Sequence, residues 1–479
     1  MATDTLVAPK HEIKRVKGSF RDPSGFVFLK GDDVYRAIDQ EGFQTIQHFL
    51  DNGEFESWVD QELIVGTEVV DDFELLHELR QQIPDRDYFL KHEKVPFVSY
   101  PYEWSISMLA DAGIKTLELQ LELLKAGHSL KDATAYNIQF VDGCPRMIDV
   151  ASIERPARLD VWFGLGQFLQ MFVYPLLLNR YKGWDLRSYF QSNLNGRDIE
   201  SVARSFGIAE RLRPGLLLDL TLPLWLHRFA EKKEGSQRKQ LEKSVDNSAP
   251  QVANLKRLHG KLNGLSSRYK PSGVWANYTN LCNYDEDADT HKKQLVGDIL
   301  RKTKPKEVLD IGCNTGTYSF LAAECNANVI AVDGDHDAIE VLYRKLRENP
   351  APIQPLVIDL ANPSPAIGYM NVERPSFIER IQPDCVLALA LMHHLLVSAN
   401  LSIAAIRDQM FEMTNRDLVI EFVPTSDEMF NRLLKFRVDL FGDVNLNAFM
   451  VVFAEKFELI DSHSIDGSQR TLLHFRKLV

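Results

Sequence analysis

Two acids and two glycines in the second half of the chain have the types and spacing of a ligand-binding turn. In the stretch VLDIGCNTGTYSF, residues 308–320, an aliphatic run passes through Asp310 and reaches Gly312 and Gly316. Glycines at this point let the backbone approach a ligand closely, and the helix that follows directs its N–H groups towards that ligand. The next aliphatic run ends about 20 residues further on at Asp333, a distance at which a carboxylate can accept both hydroxyls of a ribose. We expect a nucleoside site here, the alternative being a turn that serves packing alone.

A regular alternation of aliphatic runs and helical segments predicts the elements that position this turn. The aliphatic runs cover residues 307–312, 328–333, 354–359, 384–391 and 417–423. This alternation is typical of βαβ units, in which a parallel sheet carries helices on both faces. In residues 456–479 two further runs are joined by DGSQ, which indicates an antiparallel hairpin. The predicted fold class of residues 274–479 is therefore α/β, a parallel sheet closed by a C-terminal hairpin.

Four motifs along these runs carry a family resemblance. In order, VLDIGCNTGTYS, AVDGD, VIDL and DCVLALALMHHL resemble the motifs of class I S-adenosylmethionine-dependent methyltransferases, whereas a nicotinamide-binding turn would have the spacing GxGxxG. The resemblance implies a Rossmann-like methyltransferase domain with S-adenosylmethionine as cofactor and no metal. It also implies that Gly312, Asn314 and Gly316 line the methionine and ribose part of the cofactor, with Asp310 at its amino group.

The later motifs supply the rest of the implied cofactor site. By the same resemblance Asp333 takes the ribose hydroxyls, and Asp359 with Leu360 meets the adenine. Ala390 and Leu391, at the end of the fourth strand, would flank the transferable methyl group. For Asp359 an alternative stays open, in which the carboxylate only caps the end of a strand.

The residues after the fourth and fifth strands are candidates for the chemistry of methyl transfer. This reaction is an in-line displacement that depends mostly on placing the nucleophile, and a base must then remove a proton. His393 and His394 are our candidate general bases, because a neutral imidazole accepts a proton near pH 7. Glu421 would orient a histidine or bind a cationic substrate. The alternatives are a histidine that packs beneath the loop and a carboxylate that only caps its strand.

Aromatic residues just before the first strand are candidates for a lid. In this family the corresponding segment often folds over the cofactor, and here it contains Trp275, Tyr278 and Tyr284.

A second constellation lies in the first half of the chain, in residues 129–154. Asp132, Asn137 and Asp149 in SLKDATAYNIQFVDGCPRMIDVASIE resemble the catalytic loop and metal-binding acid of protein-kinase-like and aminoglycoside-phosphotransferase-like folds. That resemblance implies ATP and magnesium, with the first Asp at an acceptor hydroxyl and the other two residues at the metal.

The same constellation departs from those folds at two positions and lacks one motif. No Gly-rich phosphate loop is visible, Leu130 stands where a His is usual, and Arg36 stands where a Lys is expected. We interpret residues 18–230 as an α+β domain, a degenerate kinase-like recognition module. An active phosphotransferase and an unrelated α+β domain, in which Asp132 caps a turn, remain alternatives.

Bulk composition limits the partners and the location. The net charge of −12 disfavours nucleic acid as a partner. Five scattered cysteines without a CxxC motif favour a reducing, cytoplasmic location. The longest apolar run, residues 163–178, is too short to cross a bilayer, and the N-terminus lacks the apolar core of a signal peptide. Residues 231–273, rich in Lys, Arg, Ser and Gln, indicate a basic linker between two domains.

The sequence therefore predicts a two-domain enzyme that methylates a small molecule or a protein. Oxygen, nitrogen and carbon acceptors are all compatible with a histidine base. One alternative is a bifunctional enzyme whose first domain transfers phosphate from ATP to the same substrate. Another is a non-catalytic protein that binds the cofactor as a sensor.

Overall fold

The first half of the chain is built on a five-stranded antiparallel sheet. The computed structural model describes residues 12–225, 248–272, 286–434 and 444–478. The strands of this sheet have the order β1-β2-β3-β5-β4. They are β1 (Lys14–Arg15), β2 (Gly25–Lys30), β3 (Asp33–Ile38), β4 (Thr67–Val69) and β5 (Tyr88–His92). Three helices accompany them, α1 (Gln40–Asp51), α2 (Glu54–Asp60) and α3 (Phe73–Gln82).

A long buried helix, α4 (Ile106–Lys125), follows the sheet and organises the rest of the first half. After it come two short strand pairs, in which β6 (Ser129–Leu130) pairs with β9 (Ile153–Glu154) and β7 (Ile138–Val141) with β8 (Cys144–Met147). The helices that follow are α5 (Leu165–Phe168), α6 (Tyr174–Lys182), α7 (Leu186–Ser192), α8 (Ile199–Arg204), α9 (Ile208–Arg211) and α10 (Pro214–Leu216). The apolar run 163–178 lies within this group and is largely buried.

Part of the predicted linker is instead a packed helix, α11 (Ala249–Ser267). Leu255, Leu258 and Leu262 on this helix are buried in the core. A side chain added at Gly113 of α4 would lie only 2.7 Å from Leu262 Cδ1, so the two helices approach closely. The prediction of a basic linker is therefore wrong for residues 249–267, because three leucines at helical spacing pack in the core despite their charged neighbours.

The second half contains a seven-stranded sheet that confirms the predicted fold class. Its order is β12-β11-β10-β13-β14-β16-β15. The strands are β10 (Glu307–Ile311), β11 (Asn328–Asp333), β12 (Ile353–Val357), β13 (Cys385–Ala388), β14 (Asp417–Phe422), β15 (Phe457–Ser464) and β16 (Thr471–Lys477). The first five are parallel, and β16 runs antiparallel to both β14 and β15. The carboxyl ends of β10 to β14 therefore meet at one edge of the sheet.

Helices cover both faces of this sheet, which explains why its parallel strands are almost wholly buried. They are α12 (Glu286–Thr303), α13 (Thr317–Glu324), α14 (His336–Glu348), α15 (Phe377–Arg380), α16 (Met392–Val397), α17 (Ile403–Met413), α18 (Glu428–Leu434) and α19 (Leu446–Phe453). Across the four described ranges, no helix is long and apolar enough to span a membrane.

The two halves pack against each other through buried polar contacts as well as apolar ones. Glu340 of α14 has no exposed surface and accepts a hydrogen bond from the Ser107 backbone N–H of α4 at 2.9 Å. The Tyr343 hydroxyl donates to Asp111 at 2.8 Å. Arg380 of α15 forms an ion pair with Glu103, which is also fully buried. Buried charges need such partners, so these contacts fix the second half on α4.

Candidate cofactor and active site

The connection after β10 folds into a turn of left-handed residues. Gly312, Asn314 and Gly316 have φ of 71°, 50° and 89°, values that suit glycine and are tolerated by asparagine. The N–H of Gly312 donates to the Val332 carbonyl at 2.8 Å, which ties the turn to the end of β11. A Cβ at Gly316 would lie 2.4 Å from Leu342 Cδ1, so the buried Leu342 side chain would have to shift to admit any other residue there. At Gly312 it would instead meet the side chain of Leu391 at 3.3 Å.

Asp333 lies directly beside this turn, as the spacing predicted. One carboxylate oxygen accepts the Asn314 N–H at 2.9 Å and the other accepts the Asp335 N–H at 2.8 Å. Burial raises the pKa of Asp333. An ionised carboxylate offers about four acceptor positions, more than these two N–H groups occupy.

Asp310 lies beneath the turn. Only 2% of it is exposed, and it accepts a hydrogen bond from the Ser319 hydroxyl of α13 at 2.6 Å. Burial raises its pKa to about 6. In this structure Asp310 therefore joins β10 to α13.

The ends of β11 and β12 lie side by side next to the turn. The Ile358 N–H donates to the Asp333 carbonyl at 2.9 Å, and a Cβ on Gly334 would lie 3.8 Å from Asp359 Cα. Asp359 is exposed and accepts the Ala361 N–H at 2.9 Å, whereas Leu360 is buried.

On the other side of the turn, β13 leads into α16 through Ala390 and Leu391. Ala390 has φ of 52°, and its N–H donates to Glu421 Oε2 at 2.9 Å. His393 and His394 follow on α16 with their ring centres 4.3 Å apart. The structure thus brings the residues predicted from β10, β11 and β13 to one edge of the sheet.

Both histidines are held in the neutral form by their surroundings. His393 is 2% exposed, and burial lowers its pKa to about 3. Its Nδ1 atom is buried and has no hydrogen-bond partner in the part of the chain that the structure describes. Burial also lowers the pKa of His394, which is the more exposed of the two. Both imidazoles are therefore neutral near pH 7.

Glu421 is fully buried and paired with cations of the protein itself. Lys292 of α12 approaches Glu421 Oε2 to 2.5 Å, and Arg470 approaches Oε1 to 3.2 Å. Arg470 also binds Asp427 at 2.7 Å. Burial alone would raise the pKa of Glu421, but the charges of Lys292 and Arg470 hold it at about 2. We call Lys292, Glu421, Arg470 and Asp427 the Glu421 network.

Sequence reasoning missed three members of the Glu421 network, namely Lys292, Asp427 and Arg470. One signal was available, because an acid inside an apolar strand such as VIEFV must have buried partners. Nothing in the spacing indicates which distant residues provide them.

In the first half, the structure brings Asn137 and Asp149 together. The Asn137 amide donates to Asp149 Oδ2 at 3.1 Å. The other oxygen pairs with Arg36 at 2.8 Å, and Arg36 also pairs with Asp22 at 3.2 Å. Asp132 is half-buried, and burial followed by the charge of Asp149 raises its pKa. We call these five residues the Asp149 cluster.

The Asp149 cluster does not have the features of a metal centre. Both oxygens of Asp149 already contact protein groups, one of them cationic. Within the described residues, no three His, Cys, Asp or Glu side chains are grouped so that they could hold a metal ion. The predicted lid residues Trp275, Tyr278 and Tyr284 lie outside the described residues.

Comparison with known proteins places the chain in a family. Over 490 aligned residues it is 32% identical to the nodulation protein NoeA of Rhizobium meliloti (strain 1021), a match that covers 100% of this chain and 99% of that protein. The chain belongs to the NoeA family. No family model matches this NoeA-family chain. Its motif order and strand order identify the second half as a class I S-adenosylmethionine-dependent methyltransferase fold, as the sequence predicted.

Solved structures similar to this NoeA-family chain include two methyltransferases. The N-methyltransferase NodS from Bradyrhizobium japonicum WM9 matches 40% of this chain and 98% of its own, with 12% identity and a TM-score of 0.31. Magnesium protoporphyrin IX methyltransferase from Synechocystis PCC 6803 with bound SAH matches 40% of this chain and 86% of its own, with 17% identity and a TM-score of 0.30.

Proposed function

We propose that this NoeA-family protein is an S-adenosylmethionine-dependent methyltransferase acting on a small molecule or a protein. The observation that carries the proposal is the position of Asp333 against the left-handed turn at Gly312 and Gly316, at the carboxyl edge of the sheet. The nucleoside part of such a cofactor binds where the backbone can approach it closely, where a carboxylate accepts its hydroxyl groups and where a helix begins.

The residues around the turn suit S-adenosylmethionine. Asp333 has acceptor positions for the ribose hydroxyls, and Asp359 with Leu360 is next to it for the adenine. Ala390 and Leu391 would flank the methyl group, since Leu391 borders Gly312. When bound, the cofactor supplies an electrophilic methyl group on a sulfonium sulfur.

The histidine pair is our candidate for the acceptor side of the reaction. His394, the more exposed ring, would take the proton that an oxygen or nitrogen acceptor loses. His393, whose pKa is about 3, is too weak a base for that role. Its buried Nδ1 would instead accept a hydrogen bond from the acceptor group and orient it.

The full-length similarity to a nodulation protein supports a role in nodulation. We therefore expect the acceptor among the molecules produced for that process. Among the described residues, Lys292 and Arg470 face Glu421 and Asp427 next to the histidines, so these four charges balance. This balance favours an acceptor group that is neutral when methylated.

The bifunctional alternative has no comparable support. An ATP-dependent transfer would need Asp149 at a metal ion, and Arg36 is bound to that carboxylate. A protein that only senses the cofactor would need the same turn, but it would not need the histidines.

Calorimetric titration with S-adenosylmethionine tests the proposal. We expect binding to the wild-type protein and an affinity roughly 10- to 100-fold weaker for Asp333→Ala, because hydrogen bonds to a charged acceptor are lost. Asp298→Ala, at an exposed acid of α12, is the matched control and should bind as the wild type does. Absence of wild-type binding, or full affinity in a folded Asp333→Ala protein, would refute the proposal.

A further inference from the structure

The connection between β13 and α16 contains an unusual backbone conformation. Ala390 has φ of 52°, which lies in the left-handed region that residues other than Gly, Asn and Asp seldom adopt. Such conformations persist where the surrounding structure imposes them, and they are concentrated at functional sites. Ala390 is followed directly by Leu391, which contacts the cofactor turn, and by the histidine pair on α16.

Glu421 is the group that holds this conformation. The pairing between β13 and β14 ends with Ala388 opposite Ile420, so residue 421 is the next position along β14. From there Glu421 Oε2 accepts the Ala390 N–H at 2.9 Å. A side chain thus provides the hydrogen bond that the strand pairing no longer supplies.

Side chains from two other elements hold the Glu421 carboxylate. Lys292 reaches it from α12 at 2.5 Å, and Arg470 reaches it at 3.2 Å from the residue before β16. Asp427 holds Arg470 at 2.7 Å in turn. The Lys292 and Arg470 side chains are each 5% exposed, so water hardly screens these contacts. The carboxylate therefore has a single position, and so does the N–H bound to it.

We infer that Glu421 is a positioning residue, whose carboxylate fixes the left-handed turn at Ala390 and thereby sets Leu391 and the histidine pair against the cofactor turn. It would act through the backbone and would not exchange a proton with the acceptor. The effect of Glu421 on catalysis, as distinct from its effect on the backbone, rests on the proposed function.

Hydrogen–deuterium exchange of residues 389–395 and calorimetric titration with S-adenosylmethionine test this inference. The main variant is the double substitution Lys292→Met with Glu421→Met. It removes one cation and one anion together and leaves the Arg470 to Asp427 pair intact, so the core keeps its charge balance. Glu412→Gln, at an exposed acid of α17, is the control.

In the double variant we expect exchange in residues 389–395 to become at least about tenfold faster, because the Ala390 N–H loses its acceptor. We also expect the affinity for S-adenosylmethionine to fall about three- to tenfold, because Leu391 is released from the turn. Glu421→Gln keeps an acceptor oxygen and should retain most of the protection. Adding Ala390→Gly to the double variant should restore part of the affinity, because glycine adopts this φ without support.

Two outcomes would overturn the inference. One is wild-type exchange and wild-type affinity in a folded double variant. The other is loss of affinity that Ala390→Gly does not relieve at all, since a purely structural role would give that result. If the wild-type protein bound no S-adenosylmethionine but exchange still accelerated in the variant, the proposed function would fail and the anchoring of Ala390 would stand.

Discussion

The Glu421 network joins a fully buried carboxylate to two cations, whereas the Asp149 cluster joins a partly buried carboxylate to one, and the paired acid has a different predicted role in each. At the edge of the large sheet, Lys292 and Arg470 bind Glu421, which lies behind the β13–α16 connection and supports it. Among the residues that the structure describes, Asp333, the acid predicted to meet the cofactor, accepts its hydrogen bonds from backbone N–H groups. In the first half, Arg36 binds Asp149 itself, the acid predicted to meet a metal.

This difference indicates which of the two regions retains a binding function. A cation that neutralises a supporting acid stabilises a site, whereas a cation that neutralises the binding acid takes the place of the ligand. Arg36 is one of the departures from kinase-like folds, since it stands where a Lys is expected. It is also the residue that binds Asp149. We interpret the Asp149 cluster as a structural junction between β3 and the loop after β8.

The largest effect should come from removing the cation of the Asp149 cluster. Arg36→Met leaves Asp22 and Asp149 without their partner in a site where the arginine side chain is 6% exposed. We expect the free energy of unfolding to fall by about 3–5 kcal/mol, measured by urea denaturation. Adding Asp149→Asn should recover part of the loss. Arg80→Met, which breaks an exposed pair with Asp87, is the control and should cost less than about 1 kcal/mol.

A small loss of unfolding free energy in Arg36→Met would contradict this comparison of the Glu421 network with the Asp149 cluster. It would mean that the Asp149 carboxylate does not depend on Arg36 and stays available to a ligand. The bifunctional alternative would then regain support.

The second effect is the change in the free energy of unfolding with pH that follows from the ionisation of Glu421. Its pKa is about 2 in the folded protein against an ordinary 4.5, since Lys292 and Arg470 outweigh the effect of burial. The ionised carboxylate therefore stabilises the fold fully above pH 4.5, and this contribution is lost as the pH falls towards about 2. From these two pKa values we expect the protonation of Glu421 to lower the free energy of unfolding by about 3 kcal/mol in acid.

Urea denaturation between pH 7 and pH 3 measures the part of this contribution that is lost in that range, about 2 kcal/mol. Glu421→Gln should be less stable than the wild type at pH 7 and should lose less stability as the pH falls. The exposed control Glu412→Gln should follow the wild-type curve. Parallel curves for Glu421→Gln and the wild type would show that Lys292 and Arg470 do not depend on its charge.

The two regions also show which features the sequence could predict. The turn at Gly312 and the acid at Asp333 follow from local spacing along βαβ units, so their juxtaposition was predictable. The partners of Glu421 were not, because Lys292 and Arg470 reach it from separate elements that only the folded sheet brings together. Helix α11 was misread because Lys256 and Arg257 are exposed, while Leu255 and Leu262 make its contacts in the core.

The smallest effect should be that of the histidines on cofactor binding. His393→Gln and His394→Gln change neutral groups on α16, which we propose to lie on the acceptor side of Leu391, and Gln keeps a hydrogen-bonding side chain. We expect calorimetry to give affinities for S-adenosylmethionine within about twofold of the wild type, because neither charge nor a cofactor contact is lost. Asp333→Ala, measured alongside, should bind S-adenosylmethionine much more weakly than either histidine variant. A tenfold loss for His394→Gln would place that ring on the cofactor side of the site, and the base would then have to be sought elsewhere along the edge of the sheet.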